Sequence, residues 1–339
     1  MVRQGILQGA RLWPLPERTP LNPVVRYPKK CAGYIVRNVA LETFPGFYST
    51  GNLYTPAARD ASPAGPAVLC PHGHFEREGG RFSANVQSLC GRLAQSGITA
   101  FAYDMVGWGE SLLVSHTDPN VSAYQLWNSI RAVDFLVSLP GTDGSRIGIT
   151  GASGGGTQSF MLAAVDDRIH LSAPVAMVSA TFFGGCVCET GMPIHVSSGT
   201  NNVEIAALAA PRPQLIISLG TDFTADFPDL GYPFLRKIYA LYGATDSLQH
   251  EHLLHEPHDY GPAKQQLFLA FVRRHFFCSD EKVHFHGKLP LRNRITIFAP
   301  QELKVNLSCH TKATVNRTSI LLENTLLRQP ARFAEGRPT

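Results

Sequence analysis

Apolar positions along the chain follow two periods. Tyr34–Leu41 and Phe47–Tyr54 are strand-like runs separated by Pro45-Gly46, which predicts an antiparallel hairpin. From residue 67 onward, short apolar strands alternate with helical patterns. The predicted strands are Ala67–Cys70, Ile98–Tyr103, Arg146–Thr150, Leu171–Val178, Gln214–Ser218 and Leu248–Leu254. The predicted helices are Ser83–Ser96, which stops at Gly97, Tyr124–Leu139, Gly155–Ala164, Pro233–Tyr242 and Pro262–Phe276. Leu126, Ile130, Val133 and Leu136 recur at helical spacing and mark one buried face. Such alternation predicts an α/β fold: a doubly wound, mostly parallel sheet with helices on both faces. In that architecture ligands bind at the carboxyl ends of the strands, so the loops after each strand are where chemistry is expected.

The two ends break this rhythm. Residues 1–32 carry Pro14, Pro16, Pro20, Pro23 and Pro28 and read as an extended arm. Residues 33–277 form the α/β unit. Residues 278–339 hold one strand-like run, Ile295–Phe298, and read as a peripheral or partly disordered tail.

Composition narrows the class. Of 339 residues, 44% are hydrophobic and 17% charged, which excludes a disordered chain. The net charge of +4 comes from interspersed basic and acidic residues, so no nucleic-acid partner is expected. No apolar run approaches the roughly 18 residues that a membrane span needs, so no membrane partner is expected. The first twenty residues lack a long apolar stretch of the secretory kind, and the expected location is cytoplasmic. Cysteines stand at 31, 70, 90, 186, 188, 278 and 309. Their scattered spacing argues against a disulfide framework, and Cys70 and Cys90 are expected as buried thiols.

The strongest chemical signal is Gly151-Ala152-Ser153-Gly154-Gly155, a G-x-S-x-G between a predicted strand and a predicted helix. A sharp strand-to-helix turn presents the serine, and small flanking residues let the turn close. A serine hydroxyl needs a base, and the base needs an orienting acid. Asp222 is the first carboxylate after the strand Gln214–Ser218, with Asp226 and Asp229 as competitors. His258 falls between the last strand and the last helix, whereas His250 and His252 fall within the strand itself. An oxyanion hole needs two backbone N–H donors: Gly154 follows the serine, and the loop Pro71-His72-Gly73-His74-Phe75 offers His74, with Phe75 as the alternative. The run Tyr103–Ser111 predicts a structural loop beneath the site, with Trp108, and Phe75 of the loop after the first parallel strand, as pocket candidates. His72-x-His74, Cys186-x-Cys188 and the histidines at 250–258 could each supply metal ligands. None has a complete four-ligand spacing, so no metal is expected, and Cys186 and Cys188 read as loop packing. Two N-x-[ST] sequons, at Asn306 and Asn316, read as accidental.

Taken together, these stretches resemble the α/β-hydrolase superfamily, and within it the bacterial acetyl xylan esterase-like branch near the dienelactone hydrolases. The resemblance is carried by WPLPERTPLNPVV (13–25), PGFYSTGNLYTP (45–56), PHGH (71–74), YDMVGWGES (103–111), GASGGGTQ (151–158), GGCVCE (184–189), NNVEIAALAAPRP (201–213) and PHDYGPAK (257–264). It implies a serine esterase without a cofactor, with Ser153 as nucleophile, Asp222 as acid and His258 as base. It also implies a small-molecule or carbohydrate ester substrate with a short, acetyl-type acyl group. Phe223 stands where such chains often carry Trp, which marks it as a pocket residue. The alternatives are a non-catalytic ligand-binding protein on the same fold, or a peptidase or lactone hydrolase of that fold.

Overall fold

Strand and helix alternate to build one nine-stranded sheet in the order β1-β2-β3-β5-β4-β6-β7-β8-β9. The structure is a computed structural model and describes residues 2–57, 64–74, 79–190, 199–277 and 294–307. The strands are β1 (Val24–Cys31), β2 (Tyr34–Phe44), β3 (Phe47–Pro56), β4 (Gly65–Leu69), β5 (Thr99–Tyr103), β6 (Thr142–Ala152), β7 (Leu171–Val175), β8 (Gln214–Leu219) and β9 (Leu248–Leu253). Pairings from β1 through β3 to β5 are antiparallel, and all later ones are parallel. The hairpin turns at Pro45-Gly46 as expected, with Gly46 at φ +77°. β4, β5, β7 and β8 read as short continuous apolar runs because helices cover both of their faces.

The helices are α1 (Val2–Gly9), α2 (Ala84–Gln95), α3 (Val121–Ser138), α4 (Gly154–Val165), α5 (Val187–Thr190), α6 (Asn202–Ala206), α7 (Gly231–Leu241), α8 (Pro262–Phe277) and α9 (Pro300–Leu303). One core lies under α1, α3, α4 and α6; the other lies under α2 and α8. Helix α4 is buried along its whole length, so apart from Gln158 it is apolar or small all round rather than amphipathic. Among the described residues no helix is long and apolar enough to cross a membrane.

Several strand limits differ from the sequence reading: β2 runs on to Phe44 and β3 to Pro56, and β6 and β7 change most tellingly. β6 starts earlier, at Thr142, because the chain there already pairs with Gly65. β7 stops at Val175 rather than 178 because Ala176 takes φ +50°, which no strand continues through.

The arm expected over 1–32 is corrected. It begins with α1, whose Ile6 and Leu7 are buried together with Ala10 and Leu12, and it ends in β1 at the sheet edge. The prolines concentrated between these two elements hid both. Pro28 sits inside β1, where the register slips between Arg26 and Lys29; a proline without an N–H is tolerated at such an edge bulge.

The tail is corrected in part. Ile295–Phe298 is not a strand: its backbone bonds side chains instead, with Thr296 N–H donating to Tyr34 Oη (3.1 Å) and Phe298 N–H to Gln87 Oε1 (2.8 Å). Leu303 and Val305 are fully buried. The remainder of 278–339, including Asn316, lies outside the described residues.

A buried ionic cluster fastens this segment to the sheet. Arg81 is fully buried and donates to Asp104 Oδ1 (2.8 Å), Glu110 Oε2 (2.7 Å), the Leu303 carbonyl (2.9 Å) and Asn52 Oδ1. Glu110 in turn accepts from the Val305 and Asn306 N–H groups (2.8 and 2.9 Å). Removing one partner from a buried ion pair strands the others without compensation. Arg81→Met should therefore cost about 3–5 kcal/mol, read as a lower urea midpoint at unchanged slope.

Candidate active site

Backbone packing at the end of β6 sets the site. Ser153 follows the strand directly and takes φ +54°, ψ −125°, a left-handed conformation that a non-glycine residue holds only when its surroundings enforce it. Its N–H donates to the Val175 carbonyl (3.0 Å), which ties the turn to β7. α4 starts at the next residue. The glycines on either side of the serine are sterically required. A Cβ at Gly151 would come within 2.5 Å of the Pro71 carbonyl oxygen, and one at Gly155 within 2.3 Å of the same atom. The loop leaving β4 thus presses directly on the serine turn. Gly154 is just as crowded, since its Cβ would meet His74 Cε1 at 2.8 Å.

The candidate acid and base lie on the loops after β8 and β9. After β8, Asp222 Oδ2 accepts from His258 Nδ1 at 2.5 Å. A carboxylate only accepts, so Nδ1 carries the proton and Nε2 is left with its lone pair. Asp222 Oδ1 accepts from the Thr224 N–H (2.7 Å) and hydroxyl (2.6 Å), and Thr224 Oγ1 accepts from the Leu219 N–H (2.9 Å). Burial pushes the Asp222 carboxyl up, but the hydrogen bonds from His258 and Thr224 outweigh it and hold the group below its ordinary value. The competitor Asp226 instead accepts from Thr181 Oγ1 (3.1 Å). Thr224 was missed in the sequence, although a Thr two residues after an Asp is a turn signal.

The loop carrying His258 is pinned from both sides. Tyr260 Oη and Thr150 Oγ1 on β6 are 2.6 Å apart. Fully buried Lys264 pairs with Asp259 (2.7 Å) and Glu256 (3.1 Å), and Thr221 Oγ1 donates to the Glu256 carbonyl (2.7 Å). That last bond joins the Asp222 loop to the His258 loop. His250 and His252 stay on β9, both bonded to Ser218 Oγ at 2.8 and 2.7 Å.

Phe223 lies against the His258 ring (5.4 Å between centroids) and against Phe182 (4.1 Å), forming an aromatic wall that the sequence marked only at Phe223. Trp108 is buried among the rings of His72, His74 and His116 rather than facing outward. His72 is a latch: its Nε2 accepts from the Met105 N–H (3.1 Å) and its Nδ1 donates to the Gly73 carbonyl (2.9 Å), which fixes the β4 loop to the β5 loop. Phe75 lies outside the described residues.

A strained serine between a parallel strand and a buried helix, with an acid–histidine pair on the later strand ends, defines an α/β-hydrolase. Solved structures agree. Methylesterase BT1017 is 34% identical over 94% of this chain and 75% of its own, with a TM-score of 0.79. A putative acetyl xylan esterase from Bacteroides fragilis matches at 16% identity over 80% of this chain and 86% of its own, TM-score 0.63. A glucuronoyl esterase from Solibacter usitatus matches at 16% over 80% and 91%, TM-score 0.58. No family model and no curated protein matches the chain. The chain belongs to the α/β-hydrolase-fold esterases and is a carboxylesterase-like hydrolase.

Two outcomes follow from this geometry. Gly155→Ala forces a methyl group against the Pro71 carbonyl and should destabilise by about 1–3 kcal/mol, seen as a lower denaturation midpoint. Asp222, with its folded-state pKa depressed, stabilises the protein at pH above its ordinary value near 4, and that contribution is lost as pH falls through the depressed value. Stability measured from about pH 5 down to about pH 3 should therefore fall less steeply in Asp222→Asn than in wild type.

Proposed function

We propose that the chain hydrolyses short-acyl esters, with acetylated carbohydrates as the substrate class, by a serine mechanism. The observation that carries this reading is the Asp222–His258 hydrogen bond, on the two loops that follow β8 and β9 of the sheet whose β6 ends in the strained Ser153 turn. His258 Nε2 takes the proton from Ser153 Oγ as the oxygen attacks the ester carbonyl carbon. Asp222 holds the ring in the required tautomer and stabilises its charged form. The resulting oxyanion accepts from the Gly154 N–H, at the positive end of α4, and from the His74 N–H. Collapse of this intermediate expels the alcohol, which takes the proton from His258. Water, deprotonated by the same nitrogen, then cleaves the acyl-enzyme, releases the acid and restores Ser153. Phe182 and Phe223 form the wall beside the base and limit the group that fits there.

A second reading places the small group on the alcohol side, as a methyl ester of a sugar acid. The relative with 34% identity, a methylesterase, favours it. Release of p-nitrophenol from acetate, butyrate and octanoate esters, beside methanol release from a sugar-acid methyl ester, separates the two. The first reading expects the highest rate on acetate and a loss of roughly 10⁴-fold or more in Ser153→Ala. Methanol release without acetate turnover would select the second. Folded wild type that turns over neither substrate, and whose Ser153 resists a fluorophosphonate, would sink both.

A further inference from the structure

Three loops that are distant in sequence bring His74, His116, Cys186 and Cys188 together. One ligand atom from each lies within 4.8 Å of every other. His74 leaves β4, His116 sits on the long loop between β5 and α3, and the cysteines flank the start of α5. We propose that these four side chains bind a zinc ion in a closed, structural site.

The donor set is the first argument. Two imidazoles and two thiolates form a tetrahedral zinc site, and bonds of about 2.0–2.3 Å put such donors roughly 3.3–3.8 Å apart. His74 Nε2 lies 3.2 Å from Cys188 Sγ and 2.9 Å from His116 Nε2. Small adjustments bring all four onto one ion.

The hydrogen atoms supply the second argument. His116 Nδ1 lies 2.6 Å from the Val106 carbonyl, which only accepts, so that nitrogen is protonated. His74 Nδ1 lies 3.6 Å from Glu189 Oε1, a carboxylate that also favours a proton there. In these tautomers both Nε2 atoms point bare lone pairs at each other across 2.9 Å. A cation between them turns that repulsion into two bonds. A carbonyl or carboxylate on the far nitrogen is the usual outer partner of a metal-bound histidine. Glu189 does more: it is buried, and its other oxygen accepts from the Gly185 and Cys186 N–H groups (2.8 and 3.2 Å), which holds the cysteine loop in place. Trp108 packs on both histidine rings and keeps water from that side.

Four protein ligands leave no open position for water or substrate, so the ion fastens rather than reacts. It would clamp the β4 loop, the loop before α3 and the α5 segment into one unit. His74 presses on Gly154, so the clamp fixes the wall of the serine turn. The metal site stands on its own side chains and does not depend on which ester is cleaved.

Cobalt is the probe, because its spectrum reports thiolate ligands directly. Full-length protein stripped with a chelator and titrated with Co²⁺ should take up one equivalent. It should show ligand-field bands and a sulfur-to-cobalt charge-transfer band, both bleached by Zn²⁺, and zinc should raise the melting temperature. Cys186→Ser and His116→Gln alter partly exposed positions, and circular dichroism establishes that each is folded. Each should weaken Co²⁺ by at least about tenfold, and Cys186→Ser should also lose part of the charge-transfer intensity. A charged His74, bridging Glu189 and His116 by two protons, is the rival arrangement. Wild type that binds neither Co²⁺ nor Zn²⁺ stoichiometrically would overturn the proposal and leave that rival standing. An unchanged cobalt spectrum in folded Cys186→Ser would overturn it equally.

Discussion

The contact on which the site depends is between backbones: the Pro71 carbonyl against Gly151 and Gly155. That approach is closer than any side chain allows. It forces β4 and β6 together at their carboxyl ends, lets α4 begin immediately after Ser153, and holds the serine at positive φ. Everything proposed about nucleophile and oxyanion follows from it. Gly154 opens α4, so its N–H has no partner within the helix, and His74 lies beside it because the same loop carries Pro71.

Around this contact the protein uses polar groups as ties between loops. Asp222 and His258 are joined directly, and the Thr221–Glu256 bond joins their loops a second time. Arg81 joins β3, the loop after β5 and the 294–307 segment through a buried network in which one guanidinium serves two carboxylates and backbone N–H groups hold the second. Catalytic loops must hold their geometry to within fractions of an ångström, and loops by themselves are the mobile part of a fold. Fixing each to a strand or to another loop removes that freedom. The proposed zinc clamp extends the same device to the segment that carries Cys186 and Cys188.

The sheet, most helices and the serine turn were legible in the sequence because each depends on local pattern. Strand-like runs on either side of Pro45-Gly46 gave the hairpin, short apolar runs gave the parallel strands, and G-x-S-x-G between strand and helix marked Ser153. The placement of Asp222 and His258 on the loops after successive strands was legible for a related reason: an open α/β sheet has its binding crevice there. Elements whose pattern was masked were missed. Prolines hid α1 and β1, and the 294–307 segment carries no periodicity because side chains from elsewhere satisfy its backbone.

The sequence by itself determined the fold class, the strained serine and the order in which the proposed acid and base appear, because propensity, turn chemistry and topology are local or nearly so. Only the tertiary structure decided which carboxylate meets His258, why Trp108 is buried, and that His74, His116, Cys186 and Cys188 share one point in space. No spacing rule joins residues 74, 116 and 186. Their meeting is set by the strand order, which brings the ends of non-consecutive strands side by side, and that long-range geometry leaves no trace in any short stretch of sequence.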